Sequence, residues 1–194
     1  MYLDELKSVF VYQIALRSAI YSATHTRSKN NHVYKESVNK KAIIDFWKSK
    51  LLEFVFKYKD KLKNRRFFFL CVKNLKNDID SKFSDSFEGN GIRIAQCHKS
   101  LSVFLKWLWC CNLIDFEPPV CPIDRTVLNH CRKKLYRSDS KDIQIINKVF
   151  DCGGWGRIND IQEYKNLDKV IQKLSKREEL SPSVWELSIF NESF

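Results

Sequence analysis

Glycine and proline are scarce in this chain: its 194 residues include five Gly and four Pro. So few turn-formers argue against a many-turned β sandwich and, together with abundant Lys, Leu, Ile and Asn, predict a mainly α-helical fold. Apolar runs are also short. None approaches the roughly 18 residues that a membrane-spanning helix requires, so no membrane partner is expected. The opening MYLDELKSVF carries acids where a secretory signal has a basic stretch, which predicts a cytoplasmic protein. Seven cysteines, an odd number in such a chain, point to reduced thiols rather than a disulfide framework. There is no Walker A loop, GxGxxG turn after a strand, HExxH pair or nucleophile elbow. Cys110, Cys111, Cys121, His130 and Cys131 lack the paired two-to-four-residue spacing of a structural zinc site. They read as small core residues, and neither metal nor cofactor is expected.

What the chain does have is a core and a positive charge. Hydrophobic residues make up 44% and aromatics 13%, enough for a sizeable interior. The formal net charge is +11, and it is concentrated: Arg27 to Lys76 holds 15 Lys or Arg against four acids. A localised positive field attracts phosphate backbones without conferring sequence specificity. DNA is therefore the expected partner of a monomeric protein, and a merely solvated lysine-rich face is the competing reading.

Residues 3–23 read as a first helix, with Leu6, Val9, Phe10, Ile14 and Ile20 near one stripe. A polar loop from Thr24 to Ser37 follows, with Ser37 placed to cap a second helix whose buried stripe is Ile43, Ile44, Trp47, Leu51, Phe54 and Val55. Phe67–Val72 fits a buried strand or the start of a helix, and Lys73–Phe87 reads as a polar stretch. Two glycines around Asn90 mark a turn at Glu88–Gly91. Ile92–Cys110 reads as a helix with Leu101, Phe104, Leu105, Leu108 and Trp109 on one face. Pro122-Ile123-Asp124 opens another helix, CGGWGR at 152–157 is a second glycine turn, and helices follow near Ile161–Leu174 and in SPSVWELSIF. Chain 1–194 is expected to form one domain with a basic helical part, 1–87, and a second helical part, 88–194.

Between Glu88 and Cys131 the order of features is suggestive. A glycine turn (Gly89, Gly91) precedes a helix carrying His98-Lys99-Ser100, then a loop, then Asp124-Arg125-Thr126-Val127 at a helix mouth. This resembles the core of the helix-hairpin-helix DNA glycosylases, in which a hairpin grips the DNA backbone. There the hairpin's second helix can carry a catalytic lysine, and an aspartate opens a later helix. Lys99 and Asp124 match those two positions, although the hairpin matches in its glycines only and the 25-residue connection is longer than usual in the family. The resemblance implies two helical lobes around a basic cleft and excision of a flipped-out base, leaving an abasic site. The base is either a damaged one in repair or a hypermodified phage base in anti-phage defence.

The chemistry explains the residue types. Breaking an N-glycosidic bond develops oxocarbenium-like charge, which a fixed carboxylate such as Asp124 stabilises while it orients water. A desolvated, neutral Lys99 can instead attack the sugar and form a Schiff base. Gly89, Gly91, Arg93, His98, Lys106, Arg125, Lys133 and Lys134 are the expected DNA contacts, and Trp107, Trp109, Phe116 and Trp155 the candidates for base stacking. Each has a plainer counterpart: Asp124 as a helix cap, Lys99 as a surface lysine, the aromatics as core. Two alternative functions stay open on the sequence, a non-catalytic nucleic-acid-binding module and a protein-interaction subunit whose basic face meets an acidic partner.

Overall fold

The computed structural model describes residues 2–25 and 33–192; residues 26–32, including Arg27, Lys29 and half of the expected polar loop, lie outside the described residues. Among the described residues eight α-helices follow one another: α1 (Tyr2–Thr24), α2 (Lys40–Leu62), α3 (Arg65–Phe83), α4 (Ile94–Cys110), α5 (Arg125–Lys134), α6 (Ser140–Asp151), α7 (Ile161–Arg177) and α8 (Pro182–Glu192). Extended pairing among the described residues is one isolated antiparallel bridge, Tyr34 with Phe87.

Short polar side chains start most of these helices by accepting otherwise orphaned backbone N–H groups. Asn39, not Ser37, caps α2 by accepting from the Ala42 amide at 3.1 Å; Ser37 lies two residues earlier at φ +62. Asn64 accepts from the amides of Arg66 and Phe67, which settles Phe67–Val72 as helix. The inward stripe Phe68, Val72, Leu75 and Ile79 then carries α3 through the stretch that had read as polar. Asp160 caps α7, and Ser181 accepts from the Val184 amide at the start of α8, where Pro182 fits the first helical position. Helix α6 had no counterpart in the sequence reading; only Ile146 and Val149 of its residues are buried.

The helix at the centre is α4. Every residue from Ile94 to Leu105 is buried, and Leu108 after them. The expected one-sided stripe is thus a helix enclosed all round, with α1 as its main neighbour and α3 against another side. Its first turn is covered too: the Ala95 amide donates to the Ile158 carbonyl (3.1 Å) and the Ile94 amide to Asn159 Oδ1 (3.1 Å). Ala15, Leu16, Ala19, Ile20 and Ala23 are the α1 residues that pack inward, and small side chains let the two backbones approach closely; Leu6, Val9 and Phe10 are exposed. Helix α2 joins this group through a buried hydrogen bond from Trp47 Nε1 to Ser100 Oγ (3.0 Å). Contacts therefore gather α1–α4 together and α5–α8 together, so α4 packs with the first part of the chain rather than with the second. One hydrophobic core runs through both groups.

Enclosure puts polar side chains of α4 inside the core. Ser100 and Ser102 turn back onto carbonyls of the preceding turn. His98 does not: its ring is stacked on Tyr164 of α7 (centroids 4.2 Å), edge-on to Phe68, and neither ring nitrogen has a hydrogen-bond partner. Burial lowers its pKa from 6.5 to about 3, with the adjacent Lys99 charge adding to the effect. An unfolded chain takes up a proton near pH 6.5 that the folded protein refuses until about pH 3. Stability linked to His98 is thus complete above pH 6.5 and declines as the pH falls through that window, by up to about 1.4 kcal/mol per unit. Urea unfolding of wild type and His98→Leu at pH 7.5 and 5.5 checks this: the variant should lose about 1 kcal/mol less on acidification. Equal losses would show that His98 is not held neutral.

Candidate functional site at the junction of α4 and α5

Lys99 and Asp124, 25 residues apart in sequence, meet where the two helix groups join: Lys99 Nζ lies 3.3 Å from Asp124 Oδ2. Lys99 projects from the enclosed helix and its side chain is only 10% exposed, against 32% for Asp124. The carboxylate is fixed by its other oxygen. Asp124 Oδ1 accepts the Val127 amide at 3.1 Å as the cap of α5, so capping and pairing with lysine use different atoms of one group. The rest of the amine's surroundings come from the glycine turn, where the Trp155 ring lies 4.3 Å beneath Nζ.

Burial pulls the Lys99 amine below the ordinary lysine range, opposed by the attraction of Asp124. Glu186 of α8 also raises it and Lys106 lowers it, so four charged side chains share this part of the interior. Glu186 is buried and holds Lys106 in a two-point contact of 2.8 and 2.9 Å; desolvation pushes its carboxyl up while Lys106 holds it down. Tyr164 stands near enough for the Asp124 charge to help raise its hydroxyl, which is chiefly raised by burial and has no hydrogen-bond partner.

Other expected site residues are distributed less simply. Among the four aromatics, Trp155 is the one brought against the pair. Trp107 is exposed, but it lies eight positions beyond Lys99, about 12 Å along the helix axis. Trp109 packs partly against the core, and Phe116 is buried. His98 is not a DNA contact, being fully buried between α3 and α7, and Lys106 is engaged by Glu186 rather than free for phosphate. The hairpin glycines also serve a different end. Gly91 has φ +151, and a Cβ there would come 3.1 Å from Asp80 Oδ1, an oxygen that already accepts the Ile92 amide at 2.7 Å. With the amides of Ile92, Ile94 and Ala95 all spoken for, the turn at 89–91 anchors α4 to α3 and to the 158–159 segment; it does not present these three amides to a ligand. Gly89 is exposed with open space around it.

Cations remain at the mouth of the junction. Arg125, next to Asp124, is exposed; Lys133 and Lys134 lie at the far end of α5, the first exposed and the second paired with Glu178 at 3.1 Å. Half-buried Arg93 reaches the Gly156 carbonyl (3.4 Å), and the neighbouring Arg157 charge lowers its pKa alongside desolvation. Arg157, Glu186 and Tyr164 were not foreseen. Their sequence signals are one arginine after a glycine turn and two polar residues on apolar helix faces, which reveal nothing without the three-dimensional packing. No protein family, curated protein or solved structure was found to match the chain.

An NMR titration of 13Cε-labelled lysines tests the electrostatics directly. Lys99 should titrate below the bulk lysines, and lower still in Asp124→Asn, where the cap survives but the raising charge is gone. A Lys99 resonance that titrates with the bulk would contradict the desolvated geometry.

Proposed function

We propose that the chain is a DNA glycosylase, which extrudes a damaged or modified base and cleaves its N-glycosidic bond. The observation that carries this reading is the buried Lys99 amine facing a carboxylate that α5 holds rigidly at a partly open position. Asp124 stabilises the sugar cation as the base departs. Lys99, poised by desolvation to lose its proton, supplies a nucleophile: its lone pair adds to C1′ as the glycosidic pair leaves on the base. The sugar ring then opens, O4′ taking the amine proton by way of Asp124, to give a Schiff base. Trp155 offers an aromatic face beside the reacting amine, and Arg93, Arg125 and Arg157 supply positive charge for the flanking phosphates. The protein would act as a cytoplasmic monomer on either damaged host bases or hypermodified phage bases.

A second reading, a non-catalytic nucleic-acid-binding module, is favoured by the pairing itself, since an ion pair over an indole ring accounts for both residues structurally. Base release separates the two. Purified protein is incubated with unmodified duplex, damaged-base duplexes and phage DNA carrying modified cytosines, and alkali reveals abasic sites as strand breaks. The glycosylase reading expects breaks on one substrate class, a loss of about 100-fold or more in Asp124→Asn, and borohydride trapping of protein on DNA that disappears in Lys99→Gln. Intact DNA on every substrate would leave the binding module, whereas full activity in Asp124→Asn would remove the catalytic role of Asp124.

A further inference from the structure

We infer that the elbow between α2 and α3 is a separate contact for single-stranded DNA, an inference that rests on the reading of the chain as a DNA-handling protein. Helix α2 kinks at Tyr58 (φ −127, ψ 22), and the chain turns into α3 at Asn64. The outer side of this turn is an open hollow of about 410 Å³, lined by Lys61, Asn64, Arg66, Phe67 and Leu70. Two cations and two apolar side chains share its lining. Lys61 Nζ lies 5.9 Å from the Phe67 ring centroid and 6.0 Å from that of Tyr58, the two rings meet edge to face at 5.4 Å, and Leu70 is 48% exposed.

Two cations, unpaired among the described residues and set against apolar side chains, distinguish this hollow from an ordinary lysine-rich face. Lys59 reaches Asp115 (3.5 Å), Lys63 reaches Asp60 (3.8 Å), and Arg65 turns inward to the buried Asp168. Lys61 and Arg66, the two cations lining the hollow, have no acidic partner among the described residues, and both are exposed. Unneutralised charge beside exposed apolar surface suits a ligand that carries both phosphates and unstacked rings. Single-stranded DNA has that chemistry, whereas a duplex presents its rings stacked and shielded. Phosphates would sit on Lys61 and Arg66, and a base or sugar against Phe67 and Leu70.

The elbow is also tied to the proposed reaction centre. Lys59 and Lys63 clasp the loop after α4, Lys63 lying 5.8 Å from the Phe116 ring, and that loop leads directly to Asp124. A strand opened for base extrusion would thus be held by the same scaffold that supplies the carboxylate.

Fluorescence anisotropy with a labelled oligothymidylate and a labelled mixed-sequence duplex provides the test. Lys61→Glu combined with Arg66→Glu should weaken oligothymidylate binding tenfold or more and reduce the slope of log affinity against log salt by about 1.4, the share of two phosphates on a single strand. Phe67→Ala should weaken it about fivefold or more through lost stacking. Lys141→Glu with Lys169→Glu, the same charge change on exposed faces of α6 and α7, should do far less. Far-UV circular dichroism and urea unfolding confirm that the variants are folded. Equal weakening by the two charge reversals, or unchanged binding by Phe67→Ala, would overturn the elbow. Base release is scored separately: its absence bears on the reaction centre alone, whereas the anisotropy reads the elbow.

Discussion

Enclosure of α4 is the constraint on which the remaining structure depends. A helix with neighbours on every side has no solvent face on which to place polar residues, yet this one carries Gln96, His98, Lys99, Ser100 and Ser102 in its buried stretch. Each buried polar group needs a partner or exacts a free-energy penalty. Trp47 meets Ser100, the Gly156 carbonyl meets Gln96, and Asp124 meets Lys99. The partners come from α2, from the glycine turn and from the mouth of α5, so satisfying one helix fixes the positions of three distant segments.

Charge burial follows the same logic on a second level. Lys99 with Asp124, Lys106 with Glu186, and Arg65 with Asp168 are each a pair in which at least one member is largely withdrawn from water. Pairs of this kind contribute little net stability but are costly to break, because the survivor is left charged in a poor solvent. They therefore specify arrangement more than they add strength. Two of the three join a residue in α1–α4 to one in α5–α8 directly through side chains, and Lys99 with Asp124 places a desolvated amine at the seam.

Much of the fold was legible because periodicity and capping are local. The stripe on α2, the openings of α5 and α8, and the helical character of Ile92–Cys110 can be read from spacing alone. Other features were illegible for physical reasons. Between Lys73 and Lys82 only Leu75 and Ile79 advertise burial, yet two inward residues a turn apart suffice to extend α3 when its neighbour is already in place. Exposed Leu6, Val9 and Phe10 looked like a core stripe because their spacing is helical; which side of α1 turns inward was decided by α4. At the candidate site, Asp124 could be found from its place before a helix and Lys99 only by resemblance. His98 misled because α4 is enclosed from Ile94 to Leu105, and Lys106 because Glu186 of α8 captures it. Charge suggests exposure, and tertiary packing overrode it.

The pairing of α1 with α4 also has a consequence for how the chain must be made. Ribosomal synthesis delivers α1 first, but the surface that covers Ala15, Ala19 and Ala23 is not formed until Cys110 has left the exit tunnel. Until then α2 and α3 emerge beside an α1 without its principal neighbour, and closing so long an intervening loop carries an entropic penalty before the contact repays it. An N-terminal fragment ending before α4 would hold most of the positive charge but no centre to fold around. The architecture thus commits the nascent protein to waiting, and it joins the fate of the basic first half to the arrival of the helix that bears the lysine.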